Sequence, residues 1–132
     1  MIKTVLDTNI LISATFWSGS SYQITLLAIQ QKIVCYTSPS TIKEYARALK
    51  RDFKQNDNQI EERINAVLSF LQLVKPTVSV RIVKEDPDDD KIIEAALTAK
   101  VQYIVTGDKH LLKIKKYQNV KIVTPRAFLK EL

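Results

Sequence analysis

The clearest indication of the fold comes from residues 2–11, Ile2-Lys3-Thr4-Val5-Leu6-Asp7-Thr8-Asn9-Ile10-Leu11. The first five are a short β-rich run that ends at Asp7, and residues 9–15 continue with apolar side chains at helical spacing. A continuous apolar strand that passes at once into a helix is typical of buried strands in parallel sheets. The stretch therefore predicts an α/β fold, with Asp7 at the carboxyl end of its first strand.

The rest of the chain repeats this alternation of strands and helices. Further strands are predicted at 33–36, 78–83, 103–106 and 120–123. Helices are predicted at 20–30, from Ser38-Pro39 through Leu49, at about 57–74, 88–100 and 109–113, and from Thr124-Pro125 to Leu132. Because strands joined by helices imply right-handed crossovers, we expect a mostly parallel sheet.

The composition is that of an ordinary globular protein. The chain has 132 residues, 45% of them hydrophobic, and no apolar run approaches the ~20 residues of a membrane span. We therefore expect a single domain, residues 1–132, that lies in the cytoplasm and does not contact a membrane. Cys35 is the only cysteine, which excludes an internal disulfide, and one cysteine with one histidine excludes a Cys/His zinc site.

Basic residues dominate the charge of the chain. Twenty lysines and arginines against fourteen acids give a net charge of +6, although residues 85–90 alone hold five of the acids. The remaining surface is therefore more basic than the sum suggests, which favours nucleic acid or another anionic partner. Charge that serves solubility alone is the alternative.

Four acidic side chains stand where predicted elements meet one edge of the sheet. Asp7 follows the first strand, and Asp108 follows the 103–106 strand by one glycine. Asp90 starts the preceding helix, and Glu44 lies one turn into the helix after the second strand. Ligands of open α/β sheets bind outside the carboxyl ends of the strands, where these carboxylates could meet. Two carboxylates ~4 Å apart repel by about 4 kcal/mol at an effective dielectric of ~20, so four together need a cation such as Mg²⁺ or Mn²⁺.

Each acidic residue also has a purely structural interpretation. Asp7 and Asp108 could cap the helices that follow them. Glu44 could be a solvated helix residue, and the run from Asp88 to Asp90 could complement a helix dipole. The joint position of these residues at one sheet edge favours a metal site over four separate caps.

Four segments of the sequence carry a family resemblance. They are Val5-Leu6-Asp7-Thr8-Asn9-Ile10-Leu11, Pro39-Ser40-Thr41-Ile42-Lys43-Glu44-Tyr45, Asp86-Pro87-Asp88-Asp89-Asp90-Lys91-Ile92-Ile93-Glu94-Ala95-Ala96 and Ile104-Val105-Thr106-Gly107-Asp108-Lys109. In this order they resemble the motifs of PIN domains, metal-dependent nucleases that include the VapC-type toxins of toxin–antitoxin pairs. The resemblance covers nearly the whole chain. It implies a three-layer α/β/α fold with a mostly parallel five-stranded sheet, and endoribonuclease activity.

The resemblance also implies which residues form the site. Asp7, Glu44, Asp90 and Asp108 are implied to be catalytic and to hold one or two Mg²⁺ or Mn²⁺ ions, with Asn9 and Thr106 orienting ligands or water. One position departs from the pattern, because relatives often have a further acid two residues after the fourth-motif aspartate, where this chain has His110. Asp89 or Glu94 could replace that acid, since Glu94 shares a helical face with Asp90.

A basic stripe begins beside Glu44. Its members recur at helical spacing and are Lys43, Arg47, Lys50, Arg51 and Lys54. With Lys109 they are the predicted nucleic-acid-binding residues, because a phosphate backbone entering the acidic site could lie along them. A solvated helix face is the alternative. Phe16 and Trp17 are expected in the core or at an interface, with base stacking as their alternative.

These observations lead to a main hypothesis and two rivals. The main hypothesis is a metal-dependent endoribonuclease that acts on RNA and forms the toxin part of a toxin–antitoxin pair. Its expected partners are a cognate antitoxin and further copies of the chain in a homodimer or higher homo-oligomer. The first rival is a non-catalytic RNA-binding or regulatory module with a degraded metal site. The second is another magnesium enzyme, such as a phosphatase or a phospho-accepting receiver domain.

Overall fold

A mostly parallel sheet forms the centre of the molecule. The computed structural model describes residues 1–83 and 87–132, so Asp86 of the third motif lies outside the described residues. Within those ranges the strands are β1 (Lys3–Leu6), β2 (Val34–Thr37), β3 (Leu71–Leu73), β4 (Tyr103–Val105), β5 (Lys116–Tyr117) and β6 (Val120–Val123). Their order across the sheet is β3-β2-β1-β4-β6-β5, and only β5 runs antiparallel to its neighbour.

Helices connect the strands, and two of them begin at the N-caps that the sequence predicts. They are α1 (Thr8–Phe16), α2 (Ser20–Ile29), α3 (Pro39–Phe53), α4 (Asp57–Leu68), α5 (Asp90–Ala99), α6 (Lys109–Leu112) and α7 (Pro125–Glu131), and a 3-10 turn at Pro87–Asp89 precedes α5. The Ser38 hydroxyl accepts from the backbone of Thr41 at the start of α3, and Thr124 caps α7 in the same way. Each of these two helices begins with proline, whose fixed φ suits a first turn. Among the described residues, no helix is long and apolar enough to cross a membrane.

The core lies on both faces of the sheet, which confirms the three-layer α/β/α architecture. Val5 packs in a cluster with α5 and α6, whereas the next residue, Leu6, packs in a cluster with the remaining helices. Ile104 and Val105 divide between the same two clusters. Successive side chains of a strand point to opposite faces, so both faces of β1 and β4 are covered. Cys35 is fully buried in this core, and burial raises the pKa of its thiol to about 12.

The predicted count of five strands is wrong, since the described residues contain six. The additional strand, β5, consists of two residues that form a hairpin with β6 through a turn in which Gln118 has a φ of 51°. The predicted helix at 57–74 is too long, because α4 ends at Leu68 and residues 71–73 form edge strand β3. Residues 71–73 form a strand because Leu71 pairs with Cys35 of β2, and this tertiary pairing outweighs the helical propensity of the segment.

The predicted strand at 78–83 is absent from the structure, because this segment bonds to helix α5 and not to the sheet. Thr98 accepts a hydrogen bond from the backbone N–H of Thr77, and Glu94 accepts one from Val80, both at 3.0 Å. Asp90 accepts from the backbone N–H groups of Ile82 and Val83 at 2.9 Å each. Positions 90, 94 and 98 share one helical face, so a row of α5 side chains takes the place of a neighbouring strand.

The topology concentrates functional positions beside β1 and β4. From β1 the chain moves outward to β2 and β3, and it then returns to the other side of β1 with β4. The crevice between β1 and β4 is therefore the switch point of the sheet, the place where open α/β proteins bind ligands. Asp7 directly follows β1, and the segment from Thr106 to Asp108 directly follows β4.

A candidate active site at the switch point

A cleft of about 420 Å³ opens at this switch point and is rich in carboxylates. Those that line it are Asp7, Glu44, Asp52, Asp88, Asp89 and Asp108. Trp17 and Phe53 form an aromatic part of the same wall. A slightly larger cleft, of about 460 Å³, lies beside Ile33 and Leu71, and its lining contains no titratable side chain. The chemistry of the described residues therefore points to the switch-point cleft.

Asp7 is the most enclosed carboxylate of the cleft. It is 5% exposed, and its backbone N–H donates to the carbonyl oxygen of Val105 on β4 at 3.0 Å. One carboxylate oxygen accepts from the Thr8 backbone at 2.8 Å, and the other accepts from the Thr106 hydroxyl at 2.7 Å. Asp7 thus caps α1, as its structural interpretation proposed, and also lines the cleft.

Burial raises the pKa of the Asp7 carboxyl above its usual range. The hydrogen bonds from Thr106 and Thr8 oppose this shift, while the negative charges of Glu44 and Asp108 add to it. Loss of hydration therefore outweighs the hydrogen bonds that favour the ionised form. A carboxylate under these conditions is stabilised by a neighbouring cation.

Glu44 reaches the cleft from the second turn of α3. Its carboxylate accepts a hydrogen bond from the Thr8 hydroxyl at 3.0 Å, so Thr8 contacts both acids, Asp7 through its backbone and Glu44 through its side chain. Sequence reasoning did not single out Thr8. Its position directly after Asp7, with a hydroxyl that can donate to a nearby carboxylate, is the signal that could have identified it.

The loop after β4 is fixed by polar contacts to β1 and α1. The Thr106 hydroxyl, fully buried, donates to Asp7 and accepts from the Asp108 backbone at 3.0 Å. The Asn9 side-chain oxygen accepts from the Gly107 backbone at 3.0 Å, and its amide nitrogen lies 3.4 Å from Asp7. Asn9 and Thr106 therefore link Asp7 to the loop that contains Asp108 through hydrogen bonds.

The third acidic segment differs from the prediction in its register. Asp89 lines the cleft, whereas Asp90 faces the opposite way and lines a separate pocket with Val80 and Val83. Asp90 serves as a structural acceptor for the backbone N–H groups of residues 82 and 83. Adjacent residues of a helix point about 100° apart, and at the start of α5 this turns Asp90 away from the cleft that Asp88 and Asp89 line. Asp90 was expected beside Asp7, but the structure places Asp89 at the cleft and Asp90 beside residues 82 and 83.

Glu94 also lies away from the cleft. Its carboxylate accepts from the Val80 backbone at 3.0 Å and lines the same pocket as Asp90. The shared helical face of the two residues was predicted correctly, but that face contacts the 77–83 segment. Glu94 therefore does not stand in for the missing fourth-motif acid.

His110, which stands where relatives often have a further acid, lies close to two acids of the cleft. One possible ligand atom each from Asp89, Asp108 and His110 lie within 4.8 Å of one another. Asp108 caps α6 by accepting from the His110 backbone at 2.7 Å, which fixes the start of this short helix. The histidine at position 110 therefore places an imidazole near Asp89 and Asp108, where relatives often have a carboxylate.

The donor set of the cleft fits a divalent cation. Asp7, Glu44, Asp89 and Asp108 offer carboxylate oxygens, which are the ligands that Mg²⁺ and Mn²⁺ take in proteins. Among the described residues, no lysine or arginine lines the cleft itself. A cation would relieve both the mutual repulsion of the acids and the burial of Asp7.

The basic stripe lies along the exposed side of α3, beside the row that faces the cleft. Glu44, Ala48 and Asp52 form the cleft-facing row, and the stripe residues Lys43 and Arg47 each precede a member of it by one position. Arg51 is held by Asp52 through contacts of 2.8 and 2.9 Å, and Lys50 lies 3.8 Å from Asp57. Lys54 follows the helix as its C-cap, and Lys109 is exposed beside Asp108.

In the described part of the chain, Lys43 and Arg47 have no acidic partner within salt-bridge distance. They are the stripe residues closest to Glu44 in the sequence.

An aromatic cluster forms the rim opposite the fourth-motif loop. Phe16 stacks on Phe53 with ring centroids 4.1 Å apart, and Trp17 meets Phe53 edge to face at 6.2 Å. Trp17 is nevertheless 59% exposed. Its exposure is inconsistent with the expected core position, and the indole ring lines the cleft.

Comparison with known proteins gives matches over most of the chain. A sequence model described as PIN domain matches residues 3–110. An uncharacterized protein of Methanocaldococcus jannaschii is 35% identical to this chain, and the match covers 98% of this chain and 91% of that protein.

Three solved structures resemble the fold. VapBC2 from Rickettsia felis, bound to a DNA fragment from its promoter, contains a chain with a TM-score of 0.66 and 18% identity, covering 92% of this chain and 97% of that one. VapBC-1 from nontypeable Haemophilus influenzae gives 0.66 and 17%, with coverages of 95% and 99%. A protein from Pyrobaculum aerophilum gives 0.61 and 15%, with coverages of 98% and 96%. At these identities the likeness shows the shared fold.

Proposed function

The chain belongs to the PIN domain family, a family of nucleases, and from this premise we propose that it is a divalent-metal-dependent endoribonuclease. The observation that carries the proposal is the convergence of the Asp7, Glu44, Asp89 and Asp108 carboxylates on one cleft at the switch point of the sheet. An Mg²⁺ or Mn²⁺ ion bound there would activate a water and offset the charge of a phosphodiester.

The protein's own side chains position and orient the proposed site. Asp7 is locked by three hydrogen bonds, from Thr8, Thr106 and Asn9, and cannot rotate without breaking them. Glu44 is aimed into the cleft by the Thr8 hydroxyl. Such outer contacts matter because they fix the direction of the ligand oxygens before an ion arrives. The catalytic set that we propose is therefore Asp7, Glu44, Asp89 and Asp108, supported by Thr8, Asn9 and Thr106.

The surroundings of the cleft favour a single-stranded polyanion as substrate. Lys43 and Arg47 provide positive charge beside Glu44, and Lys109 provides it beside Asp108. Exposed cations along a groove attract a phosphate backbone without selecting its sequence. Trp17 presents an indole face at the cleft, where an unpaired base could stack. These features support RNA as the substrate.

We extend the proposal to the biological role suggested by the structural neighbours. Two of them are chains of VapBC complexes, and VapC-type proteins are the toxin part of toxin–antitoxin pairs. A toxin role would require a cognate antitoxin that blocks the cleft. We also keep the prediction of a homodimer or higher homo-oligomer.

The rival RNA-binding module rests on the loss of an acid at position 110. The geometry weakens that argument, because Asp89 joins the cleft and His110 lies within ligand distance of Asp89 and Asp108. The set of possible ligands is therefore altered and not depleted. RNA binding without cleavage at saturating Mn²⁺ would favour the rival.

Cleavage of an end-labelled, mixed-sequence RNA tests the proposal. We expect cleavage by the wild type with Mn²⁺, and loss of cleavage in EDTA or in Asp7→Asn, because Asn keeps the cap of α1 but removes a charged ligand. Asp52→Asn is the matched control, since it removes a carboxylate from the same cleft but one that is paired with Arg51. Full cleavage by Asp7→Asn would contradict the proposal.

A further inference from the structure

We propose that His110 supplies an imidazole ligand to a divalent metal position shared with Asp89 and Asp108, and that this nitrogen makes the site prefer Mn²⁺ over Mg²⁺. The inference rests on the metal-dependent function proposed above and adds a ligand and a metal class to it. It concerns the residue at which this chain departs from the acidic pattern of its family.

The three side chains come from two separate parts of the fold. Asp89 belongs to the 3-10 turn before α5, whereas Asp108 and His110 belong to the start of α6. Their possible ligand atoms lie within 4.8 Å of one another. At this spacing, rotations of the three side chains could bring their ligand atoms onto one ion.

Exposure falls from the mouth of the cleft to its wall. The side chain of His110 is 45% exposed and that of Asp108 is 24% exposed, whereas Asp89 is 7% exposed. An ion held by the three would therefore be anchored on the protein side and open on the solvent side. Open positions are what a catalytic metal needs for water and substrate.

The imidazole of His110 is not committed to a strong contact with Asp108. Its Nδ1 lies 3.7 Å from the Asp108 oxygen, which is too long for a hydrogen bond. That carboxylate oxygen already accepts the backbone N–H of His110 at 2.7 Å. The ring can therefore turn toward an ion without losing a hydrogen bond to Asp108.

A nitrogen ligand changes which ion the site prefers. Mg²⁺ strongly favours oxygen ligands, whereas Mn²⁺ and the later transition metals accept imidazole. Imidazole in place of a carboxylate also removes one negative charge, and a hard ion such as Mg²⁺ depends on that charge. Both effects weaken Mg²⁺ binding relative to Mn²⁺.

The chain contains a single histidine, which makes a direct test possible. Tag-free protein is loaded with Mn²⁺ in the absence of RNA, and electron spin-echo spectra are recorded with natural histidine and with ¹⁵N-histidine. We expect a nitrogen modulation that changes with the label and is absent in His110→Ala and His110→Asp. In Mn²⁺ and Mg²⁺ titrations, His110→Asp should lower the Mn²⁺/Mg²⁺ affinity ratio at least about ten-fold.

Two results would overturn the inference. One is bound Mn²⁺ whose spectrum is unchanged by the histidine label, and the other is an unchanged affinity ratio in His110→Asp. Because the experiment contains no RNA, it is independent of turnover. Cleavage without the histidine signal would reject only the role of His110, and the histidine signal without cleavage would reject only the nuclease proposal.

Discussion

Several acidic residues of this chain have a structural and a proposed chemical role at the same time. Asp7 caps α1 and Asp108 caps α6, yet both line the cleft. A helix start at the carboxyl end of a strand brings the cap residue to the sheet edge where ligands bind, so one position satisfies both demands. The structural and functional interpretations of such residues are therefore not alternatives.

The pH dependence of stability should reveal the burial of Asp7. Its folded-state pKa is raised above the usual value of an aspartate in an unfolded chain, so the folded protein binds the proton more tightly than the unfolded chain. This proton binding stabilises the folded state at pH values below the unfolded-state pKa of Asp7. The stabilisation is lost as the pH rises through the raised pKa of the folded state. In metal-free buffer we expect Asp7→Asn to become more stable relative to wild type across this window, measured by urea unfolding at successive pH values.

Added Mn²⁺ provides the control for this prediction. The ion should stabilise the wild type above the raised pKa, because it binds the folded state, and should stabilise Asp7→Asn much less. If, without metal, the wild type became more stable relative to Asp7→Asn as the pH rises, the raised pKa of Asp7 would be contradicted.

The acidic residues also show which parts of a site can be predicted from sequence. Asp7 and Asp108 were predicted at the sheet edge because Asp7 directly follows a buried strand and Asp108 lies just after another, and strand ends are strong signals. The third acidic segment offered three consecutive aspartates, and no propensity distinguishes which of them faces inward. The choice between Asp89 and Asp90 depends on where the 3-10 turn passes into α5, and that boundary is fixed by tertiary contacts.

At the scale of elements, helix α5 connects the core to the 77–83 segment. Asp90, Glu94 and Thr98 hold this segment through its backbone N–H groups. The alternating apolar residues of 78–83 predicted a strand, and Val83 is indeed buried. The pattern identified the buried side chains, but it could not show that side chains of a helix satisfy the backbone in place of a strand.

Substitution of Glu94 tests this arrangement. Glu94→Ala removes the acceptor of the Val80 N–H and should lower the free energy of unfolding by about 1–2 kcal/mol. Glu94→Gln keeps a side-chain oxygen and should recover most of that loss. Urea denaturation of both variants measures the difference, with an unchanged m-value as the check that the folded state is compact.

Metal binding by the same variants separates structure from function. Because Glu94 lies away from the cleft, Glu94→Gln should bind Mn²⁺ as the wild type does. Equal stability of all three proteins, or loss of Mn²⁺ binding in Glu94→Gln, would contradict the role assigned to this residue.

At the scale of the whole molecule, the acids and bases are separated in space. The acids converge on a cleft at the switch point, while unpaired cations of the described residues, such as Lys43 and Arg47, lie on the exposed helix surface beside it. The net charge of +6 predicts an anionic partner, and the sheet topology gathers the acids at the cleft where we propose that this partner binds. The alternation of strands and helices was sufficient to predict the layers. It did not predict the short edge strands β3 and β5, because their local sequence signal is weak and they form by pairing with β2 and β6.

The most direct test of the central claim compares two neighbouring aspartates. Wild type, Asp89→Asn and Asp90→Asn are assayed for Mn²⁺-dependent cleavage of the same end-labelled RNA, after circular dichroism shows that all three are folded. Asp90→Asn keeps an oxygen acceptor for residues 82 and 83 and should cleave, whereas Asp89→Asn should lose activity at least about a hundred-fold, since even outer partners of a metal contribute about 10–100-fold. Full activity in Asp89→Asn, or cleavage by the wild type in EDTA, would contradict a metal nuclease built on this cleft.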